Sequence, residues 1–191
     1  MTSDGRRTSI LISITSLRIV LVPAVIGLIQ LAPDSSSAET AAAVVFSIAA
    51  VTDFIDGRLA RHWDATTTLG SFLDTTADKL LTSGALIALV SIDRASPWIA
   101  IIIVGRELVI LALRGVVASE GAIVKPSLAG KLKTNVQFLA ILLAILRYGD
   151  RLGPLSLDEW AMVAAAIITV MSGVEYLARF SSAFTASERR G

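Results

Sequence analysis

Apolar residues occur in long runs along the chain, and short polar segments separate the runs. The first run, 10–31, holds 22 residues with a single charge, Arg18. A helix of that length crosses a hydrocarbon core of roughly 30 Å, because each residue adds about 1.5 Å. The later runs are shorter and reach this length only by including polar residues. The pattern predicts an all-α integral membrane protein with six transmembrane helices, at approximately 10–32, 39–61, 70–92, 96–118, 130–148 and 157–182.

The composition favours lipid as the surroundings of these helices. Of 191 residues, 54% are apolar and 17% are charged, against roughly 45–50% and 25% in soluble domains. These proportions exclude a disordered chain. The absence of cysteine excludes disulfide scaffolds, zinc–thiolate sites and thiol nucleophiles. A soluble helical bundle is the alternative, but the run 10–31 would then be apolar on every face.

The basic residues favour one orientation in the membrane. If the N-terminus is cytoplasmic, 14 of the 17 Lys and Arg residues lie on the inner side, and only Arg94, Arg147 and Arg151 lie outside. The positive-inside rule therefore predicts that both termini are cytoplasmic. Because the connections between the predicted helices are short, we expect a single membrane-embedded domain over residues 1–191.

Acidic residues interrupt the second and third predicted helices where apolar residues are expected. Asp53 and Asp56 lie near the end of one helix, and Asp74 and Asp78 near the start of the next. Each ionised group costs about 2.5–3.5 kcal/mol near a bilayer centre. Their spacing puts each pair on one helix face, and the short connection makes the helices antiparallel neighbours. Four converging carboxylates suit two divalent cations, Mg²⁺ or Mn²⁺.

The spacing around these aspartates resembles a known signature. The pattern is D-x-x-D-G-x-x-A-R, eight residues, then G-x-x-x-D-x-x-x-D, and its eight fixed positions are occupied by Asp53, Asp56, Gly57, Ala60, Arg61, Gly70, Asp74 and Asp78. It is similar to the signature of the CDP-alcohol phosphatidyltransferase family. The resemblance implies a six-helix membrane fold, usually a homodimer. It also implies a reaction in which an alcohol displaces CMP from a CDP-linked lipid.

The resemblance assigns roles to the signature residues. The metal ligands it implies are Asp53, Asp56, Asp74 and Asp78, which would hold cations against the diphosphate of CDP-diacylglycerol. The residues it implies for the CDP-lipid are Asp53, Gly57, Ala60, Arg61 and Gly70. Asp78 would also act as the general base that takes the proton of the acceptor hydroxyl. For the two glycines, close helix packing is an alternative role.

Other segments resemble the phosphatidylglycerophosphate synthase branch of this family. They are Thr15-x-x-Arg18, Gly105-Arg106-Glu107 with Ala112-Leu113-Arg114, and Gly130-Lys131-x-Lys133-Thr134-x-x-Gln137. This branch implies sn-glycerol 3-phosphate as the acceptor. The basic residues that would bind its phosphate are Arg106, Arg114, Lys131 and Lys133, because Arg and Lys match phosphate oxygens. An ion pair with Glu107 is the alternative for Arg106, and a solvated inner surface is the alternative for Arg114 and Lys133.

The implied reaction also predicts where the site lies. CDP and glycerol 3-phosphate are water-soluble, whereas the acyl chains stay in lipid. We therefore expect a protein of the inner, cytoplasmic membrane, with its active site facing the cytoplasm and with membrane lipids around it. No nucleic-acid partner is expected.

Two kinds of alternative stay open. The same signature serves other acceptors, such as inositol phosphate, serine or phosphatidylglycerol, the last giving cardiolipin. Outside the enzyme class, an ion-coupled transporter also carries carboxylates within the membrane. A transporter is expected to show internal repeats or broken helices near the midplane, and the aspartates here cluster at one end instead.

Overall fold

The computed structural model describes residues 3–62, 68–119, 128–149 and 151–188, with side chains over 15–52, 72–117, 132–149 and 151–180 together with Gly70 and Gly130. The helices in this part of the chain are α1 (Ser3–Leu31), α2 (Ser36–His62), α3 (Thr68–Ser91), α4 (Pro97–Ser119), α5 (Leu128–Ile145) and α6 (Leu157–Glu188). A short hairpin of β1 (Arg151–Leu152) and β2 (Leu155–Ser156) precedes α6.

The prediction of six helices is confirmed within the described residues. The largest differences are at the chain ends, where α1 begins at Ser3 and α6 continues to Glu188. Hydropathy marks only the apolar part of a helix, so these polar turns were not included. The hairpin was not predicted. Its two-residue turn places Gly153 at φ +74°, a value that favours glycine at the first turn position.

Contacts around Arg94 fix how the helices alternate in direction. Arg94 follows α3, and its Nη2 lies 2.8 Å from Glu39 Oε2 in the first turn of α2. Its Nη1 also donates to the carbonyl of Ile145, the last residue of α5, at 2.5 Å. The start of α2 and the ends of α3 and α5 therefore meet at one end of the bundle. Consecutive helices consequently run in opposite directions.

The packing divides the bundle into an apolar half and a polar half. The helix pairs with the most extensive contacts are α1 with α3 and α5 with α6, and α1 also packs along α2. The central core lies toward the Arg94 end and includes Ile29, Phe46, Leu86, Leu89 and Ile141. Charged and polar side chains of α3, α4 and α5 occupy the other half. The helices thus bring the polar residues of distant segments to one end.

Helices α2 and α3 run antiparallel, as expected from their short connection, but they do not pack along each other in the part of the chain that the structure describes. These two helices contact each other only sparsely over the described residues, and both pack mainly against α1. A short connection requires its two ends to be close, but it does not require the helices to pack along their length. Helix α1 therefore contributes to the surroundings of the aspartates in α3.

One described helix, α6, is long and apolar enough to cross a membrane. Its segment Leu157–Phe180 spans 24 residues and contains an 18-residue stretch with a mean hydropathy of 1.8. Shorter apolar segments are Thr15–Leu31, Ser36–Thr52 and Leu132–Ile145. Charged residues within α3 and α4 interrupt their apolar runs. The six-span arrangement therefore stays a prediction.

The close packing of α1 on α3 depends on Gly84. A methyl group at this position would lie 3.0 Å from Ile26 Cδ1 and 3.3 Å from Val22 Cγ1. We expect Gly84→Leu to lower the free energy of unfolding by about 1–3 kcal/mol, because a larger side chain must displace these residues. Thermal unfolding in detergent micelles measures the effect.

Gly115→Leu is the matched control for this change. A methyl group there meets no described atom within 4 Å, and replacing a helical glycine by leucine improves helix propensity. The midpoint of unfolding should stay the same or rise. Equal losses of stability in the two variants would contradict the assignment of Gly84 to the α1–α3 contact.

Candidate active site

The two aspartates at the start of α3 lie one helical turn apart, and each has a basic partner. Asp74 Oδ1 accepts a hydrogen bond from Arg18 Nη1 at 3.1 Å. The Arg18 side chain is 1% exposed, whereas that of Asp74 is 39% exposed. This ion pair accounts for the single charge inside the apolar run of α1, since a buried guanidinium requires a compensating carboxylate.

Asp78 is bound to a lysine that also reaches the next helix. Lys79 Nζ donates to Asp78 Oδ2 at 2.6 Å and lies 2.8 Å from Glu107 Oε2 of α4. The side chains of Lys79 and Asp78 are 23% and 17% exposed, and that of Glu107 is 5% exposed. Lys79 is therefore the link between the last aspartate of the signature and the interior of the bundle.

Glu107 is the centre of a buried ionic cluster. Its Oε1 accepts a short hydrogen bond from Lys133 Nζ of α5 and lies 3.3 Å from Arg106 Nη1. Together with Lys79, three basic side chains from three helices surround one carboxylate. We call Asp78, Lys79, Arg106, Glu107 and Lys133 the ionic cluster. Its formal net charge is +1, so it is electrically suited to an anionic ligand.

Helix α6 supports the cluster from the other side. Arg106 Nη2 donates to Ser172 Oγ at 3.0 Å. Arg106 also lies over Gly173, where an added methyl group would be 3.2 Å from its Cγ. One turn earlier on α6, Thr169 Oγ1 accepts a hydrogen bond from Gln137 Nε2 at 2.8 Å. The contacts with Ser172 and Gly173 hold Arg106 against α6, and the Gln137–Thr169 bond joins α5 to the same helix.

Two polar atoms of the cluster have no hydrogen-bond partner among the described residues. They are Asp78 Oδ1 and Arg106 Nε, and both are buried. Buried polar atoms are normally satisfied, and each exception requires an explanation. An acceptor atom in the carboxylate and a donor atom in the guanidinium are what a metal ion and an anionic group would respectively engage.

Apart from Arg114, the predicted site residues fall into three groups. Asp74, Asp78, Arg106 and Lys133 are described, and the last three belong to the ionic cluster. Gly70 is half-buried in the first turn of α3, one turn before Asp74. The positions Asp53, Asp56, Gly57, Ala60 and Arg61 lie in the helical backbone of α2, and Lys131 lies in α5, but their side chains lie outside the described residues.

Arg114 is not brought to the ionic cluster. It follows Arg106 by eight residues, about 12 Å along α4, and its side chain is exposed. Its guanidinium carbon lies 5.6 Å from the centre of the Tyr176 ring on α6, a cation–π contact. The described contacts thus connect Arg114 to α6 and not to Glu107.

The ion pair considered as the alternative for Arg106 is present, since Arg106 contacts Glu107. Its unpartnered Nε still leaves one donor for a ligand, so both roles fit the same side chain.

Four contributors to the site were missed in the sequence. Lys79 was counted only as an inner basic residue. Glu107 was noted as part of a segment that resembles the family and as a partner for Arg106, but it was given no role in the site. Thr169 and Ser172 on α6 carried no signal that separates them from ordinary helix-packing hydroxyls. For Glu107 a signal existed, because a carboxylate in the middle of an apolar helix needs partners.

No three Asp, Glu or His side chains lie together in a metal-binding arrangement within the part of the chain whose side chains are described. Two members of the predicted set, Asp53 and Asp56, are outside that part. The two-metal site therefore stays a prediction, to which Asp74 and Asp78 supply two of the four carboxylates.

Comparison with known proteins confirms the resemblance. A family model described as CDP-alcohol phosphatidyltransferase matches residues 12–171. The CDP-diacylglycerol–glycerol-3-phosphate 3-phosphatidyltransferase of Bacillus subtilis (strain 168) is 39% identical over 178 residues, covering 87% of this chain and 92% of the relative. A probable phosphatidylglycerophosphate synthase of Mycobacterium tuberculosis (strain H37Rv) is 39% identical over 168 residues, covering 87% and 78%. The CDP-diacylglycerol–glycerol-3-phosphate 3-phosphatidyltransferase of Escherichia coli (strain K12) is 36% identical over 173 residues, covering 86% and 90%.

The ionic cluster leads to a prediction about stability. We expect Glu107→Gln to lower the free energy of unfolding by about 3–5 kcal/mol, because it leaves Lys79, Arg106 and Lys133 without their shared carboxylate. Thermal unfolding of the detergent-purified protein measures the loss.

The control is Glu175→Gln, which removes a partly exposed carboxylate 2.5 Å from Arg179 on α6. Exposed pairs of this kind contribute about 0–1 kcal/mol. A loss for Glu107→Gln no greater than for the control would show that Glu107 does not hold the cluster together.

Proposed function

The chain belongs to the CDP-alcohol phosphatidyltransferase family, and from this premise we propose that it transfers the phosphatidyl group of CDP-diacylglycerol to sn-glycerol 3-phosphate. The products are phosphatidylglycerophosphate and CMP. The observation that carries this proposal is the extent of similarity to relatives named for this reaction, which match 86% or 87% of the chain. The basic side chains joined to Asp78 through Lys79 support a phosphorylated acceptor.

The proposed reaction exchanges one phosphorus–oxygen bond for another. The free primary hydroxyl oxygen of glycerol 3-phosphate bonds to the phosphorus that carries diacylglycerol. The bond from that phosphorus to the bridging oxygen of the diphosphate breaks, and CMP leaves with that oxygen. Asp78 takes the hydroxyl proton. Its carboxylate has two oxygens, of which Oδ2 is bound to Lys79 and Oδ1 has no hydrogen-bond partner among the described residues.

The proposal includes two divalent cations, Mg²⁺ or Mn²⁺, held by Asp53, Asp56, Asp74 and Asp78. Members of this family use divalent metals, and carboxylate oxygens are the hard ligands that these ions prefer. The buried and unpartnered Oδ1 of Asp78 fits such a site. When bound, the cations neutralise charge on the diphosphate and on the departing CMP.

The CDP-lipid is proposed to bind at the signature positions of α2 and α3. The residues assigned to it are Asp53, Gly57, Ala60, Arg61 and Gly70. Gly70 lies one turn before Asp74 and has no side chain, so a ligand can approach the backbone there.

The acceptor phosphate is proposed to bind the basic residues of the adjoining helices, namely Arg106, Arg114, Lys131 and Lys133. For Arg106 and Lys133, their place in the ionic cluster supports this role. Arg114 and Lys131 rest on the family resemblance. If the phosphate of glycerol 3-phosphate binds beside Lys133, its primary hydroxyl would lie on the side of Asp78, which would bring nucleophile and base together.

We further propose that all six helices span the inner membrane with both termini in the cytoplasm. The family is membrane-associated, and the ionic cluster lies in the half of the bundle away from Arg94. A cytoplasmic position for that half gives water-soluble CDP and glycerol 3-phosphate access while the acyl chains stay in lipid. The homodimer implied by the family resemblance also belongs to this proposal.

The first test is release of CMP by the purified protein. With CDP-diacylglycerol and glycerol 3-phosphate, activity should require Mg²⁺ or Mn²⁺, disappear on addition of EDTA, and return when metal is restored. Inositol phosphate, serine and phosphatidylglycerol serve as competing acceptors in the same assay. Faster CMP release with one of these would replace the proposed acceptor, and no release with any of them would overturn the transferase itself.

The second test concerns the general base. We expect Asp78→Asn to lower kcat by about 10²-fold or more, because the amide cannot accept the hydroxyl proton. The variant should remain folded and membrane-inserted, which its thermal unfolding and detergent extraction can establish.

Asp93→Asn provides the matched control at the opposite end of α3. Asp93 is exposed and has φ +57°, a conformation that asparagine also accepts. Its kcat should equal that of the unchanged protein. Substantial activity in Asp78→Asn would remove Asp78 as the base.

A further inference from the structure

Lys79 holds two carboxylates of different helices at once. Its Nζ contacts Asp78 of α3 at 2.6 Å and Glu107 of α4 at 2.8 Å. Neighbouring residues on a helix point in different directions and do not ordinarily pair. The Lys79 side chain must therefore bend back toward Asp78. This bent conformation places the ammonium group where it compensates the charge of Asp78.

The net charge available around Glu107 depends on whether Lys79 is paired with Asp78. With Lys79 assigned to Asp78, the remaining Arg106, Lys133 and Glu107 have a net charge of +1. With a metal ion on Asp78 instead, Lys79 is added to this group, and its net charge becomes +2. A phosphate monoester carries about −1.5 to −2 near neutral pH. The second arrangement therefore matches the acceptor phosphate better than the first.

We propose that Lys79 is a further acceptor-phosphate ligand and that its bond to Asp78 couples acceptor binding to metal binding. The inference rests on the proposed function and deepens it. In the metal-free protein, Lys79 neutralises Asp78. When Asp78 engages a divalent cation, Lys79 keeps its bond to Glu107 and turns its other N–H groups to the acceptor phosphate.

Glu107 makes this exchange possible as a positioning residue. An ammonium group has three donors, and Glu107 holds one of them whether or not Asp78 holds another. Because Glu107 also binds Lys133 and Arg106, it keeps Lys79 beside the other two basic groups. Lys79 then needs only a small rotation to exchange Asp78 for phosphate.

The coupling has a thermodynamic consequence. Lys79 is bound to Asp78 Oδ2, so a cation at Oδ1 of the same carboxylate meets the repulsion of the ammonium group. This repulsion weakens metal binding when no acceptor is present. The acceptor phosphate attracts Lys79 and relieves this repulsion, so it strengthens metal binding. By linkage, the metal strengthens acceptor binding by the same factor.

Mn²⁺ binding to the detergent-purified full chain tests the inference without turnover. Electron paramagnetic resonance gives the Kd for Mn²⁺ with and without sn-glycerol 3-phosphate, in the absence of CDP-diacylglycerol. In the unchanged protein, glycerol 3-phosphate should lower this Kd by about fivefold or more. In Lys79→Met, Mn²⁺ should bind more tightly without glycerol 3-phosphate, and the acceptor should no longer change its Kd.

The assay of CMP release supplies a second readout for the same variant. Lys79→Met should raise KM for glycerol 3-phosphate by about tenfold, as expected for one lost charge-assisted hydrogen bond. Its kcat should change by less than about threefold, since a contact made equally in the ground and transition states affects KM alone. Lys79→Arg retains the charge and should restore both the response of Mn²⁺ binding and a low KM.

Arg179→Met is the control, because it also removes a positive charge from the half of the bundle away from Arg94. It should leave unchanged the Kd for Mn²⁺, the effect of glycerol 3-phosphate on that Kd, and the KM for glycerol 3-phosphate. If Lys79→Met does not fold, Lys79→Gln replaces it, because the amide keeps a donor for Glu107 without the charge.

Two results would overturn the inference: a neutral variant that still responds to glycerol 3-phosphate, or one that binds Mn²⁺ more weakly than the unchanged protein. The proposed function fails separately, if the unchanged protein releases no CMP with glycerol 3-phosphate.

Discussion

The carboxylate of Glu107 is the interaction on which the polar half of the bundle depends. It lies between α3, α4 and α5 and compensates Lys79, Arg106 and Lys133. Without it, three positive charges would face one another at low exposure. Without them, an ionised carboxylate would be buried at a cost of several kcal/mol. Because one carboxylate compensates three basic groups, a net positive charge remains beside Asp78.

The apolar half supplies the rigidity that this arrangement needs. Phe46 packs edge-to-face on Phe138, and small residues such as Ala85, Ala140 and Ala144 let the helices approach closely. At the far end, Arg94 joins α2 and α5 to the turn after α3. The polar half can therefore hold charged side chains in fixed positions, because its helices are fastened together elsewhere.

Several features were accessible from local sequence alone. The helices follow from apolar runs, and the candidate chemistry follows from the signature that ends in Asp74 and Asp78, because both depend on spacings of a few residues. Arg106 was also identified as a candidate, since a charged residue in the middle of an apolar helix is costly unless it is compensated or used. Lys133 was identified because Lys matches a phosphate group. The start of α1 at Ser3 and the hairpin before α6 were not predicted, because neither has a hydropathy pattern of its own.

The pairings of the charged residues could not be read from the sequence. Arg18 meets Asp74 across 56 positions, Lys133 meets Glu107 across 26, and Arg106 meets Ser172 across 66. The sequence by itself determined that charges lie inside helices and that each must be compensated, because burial of an unpaired charge is unfavourable wherever it occurs. Only the tertiary structure decided which partners compensate them, because helix packing sets the distances between residues far apart in the chain.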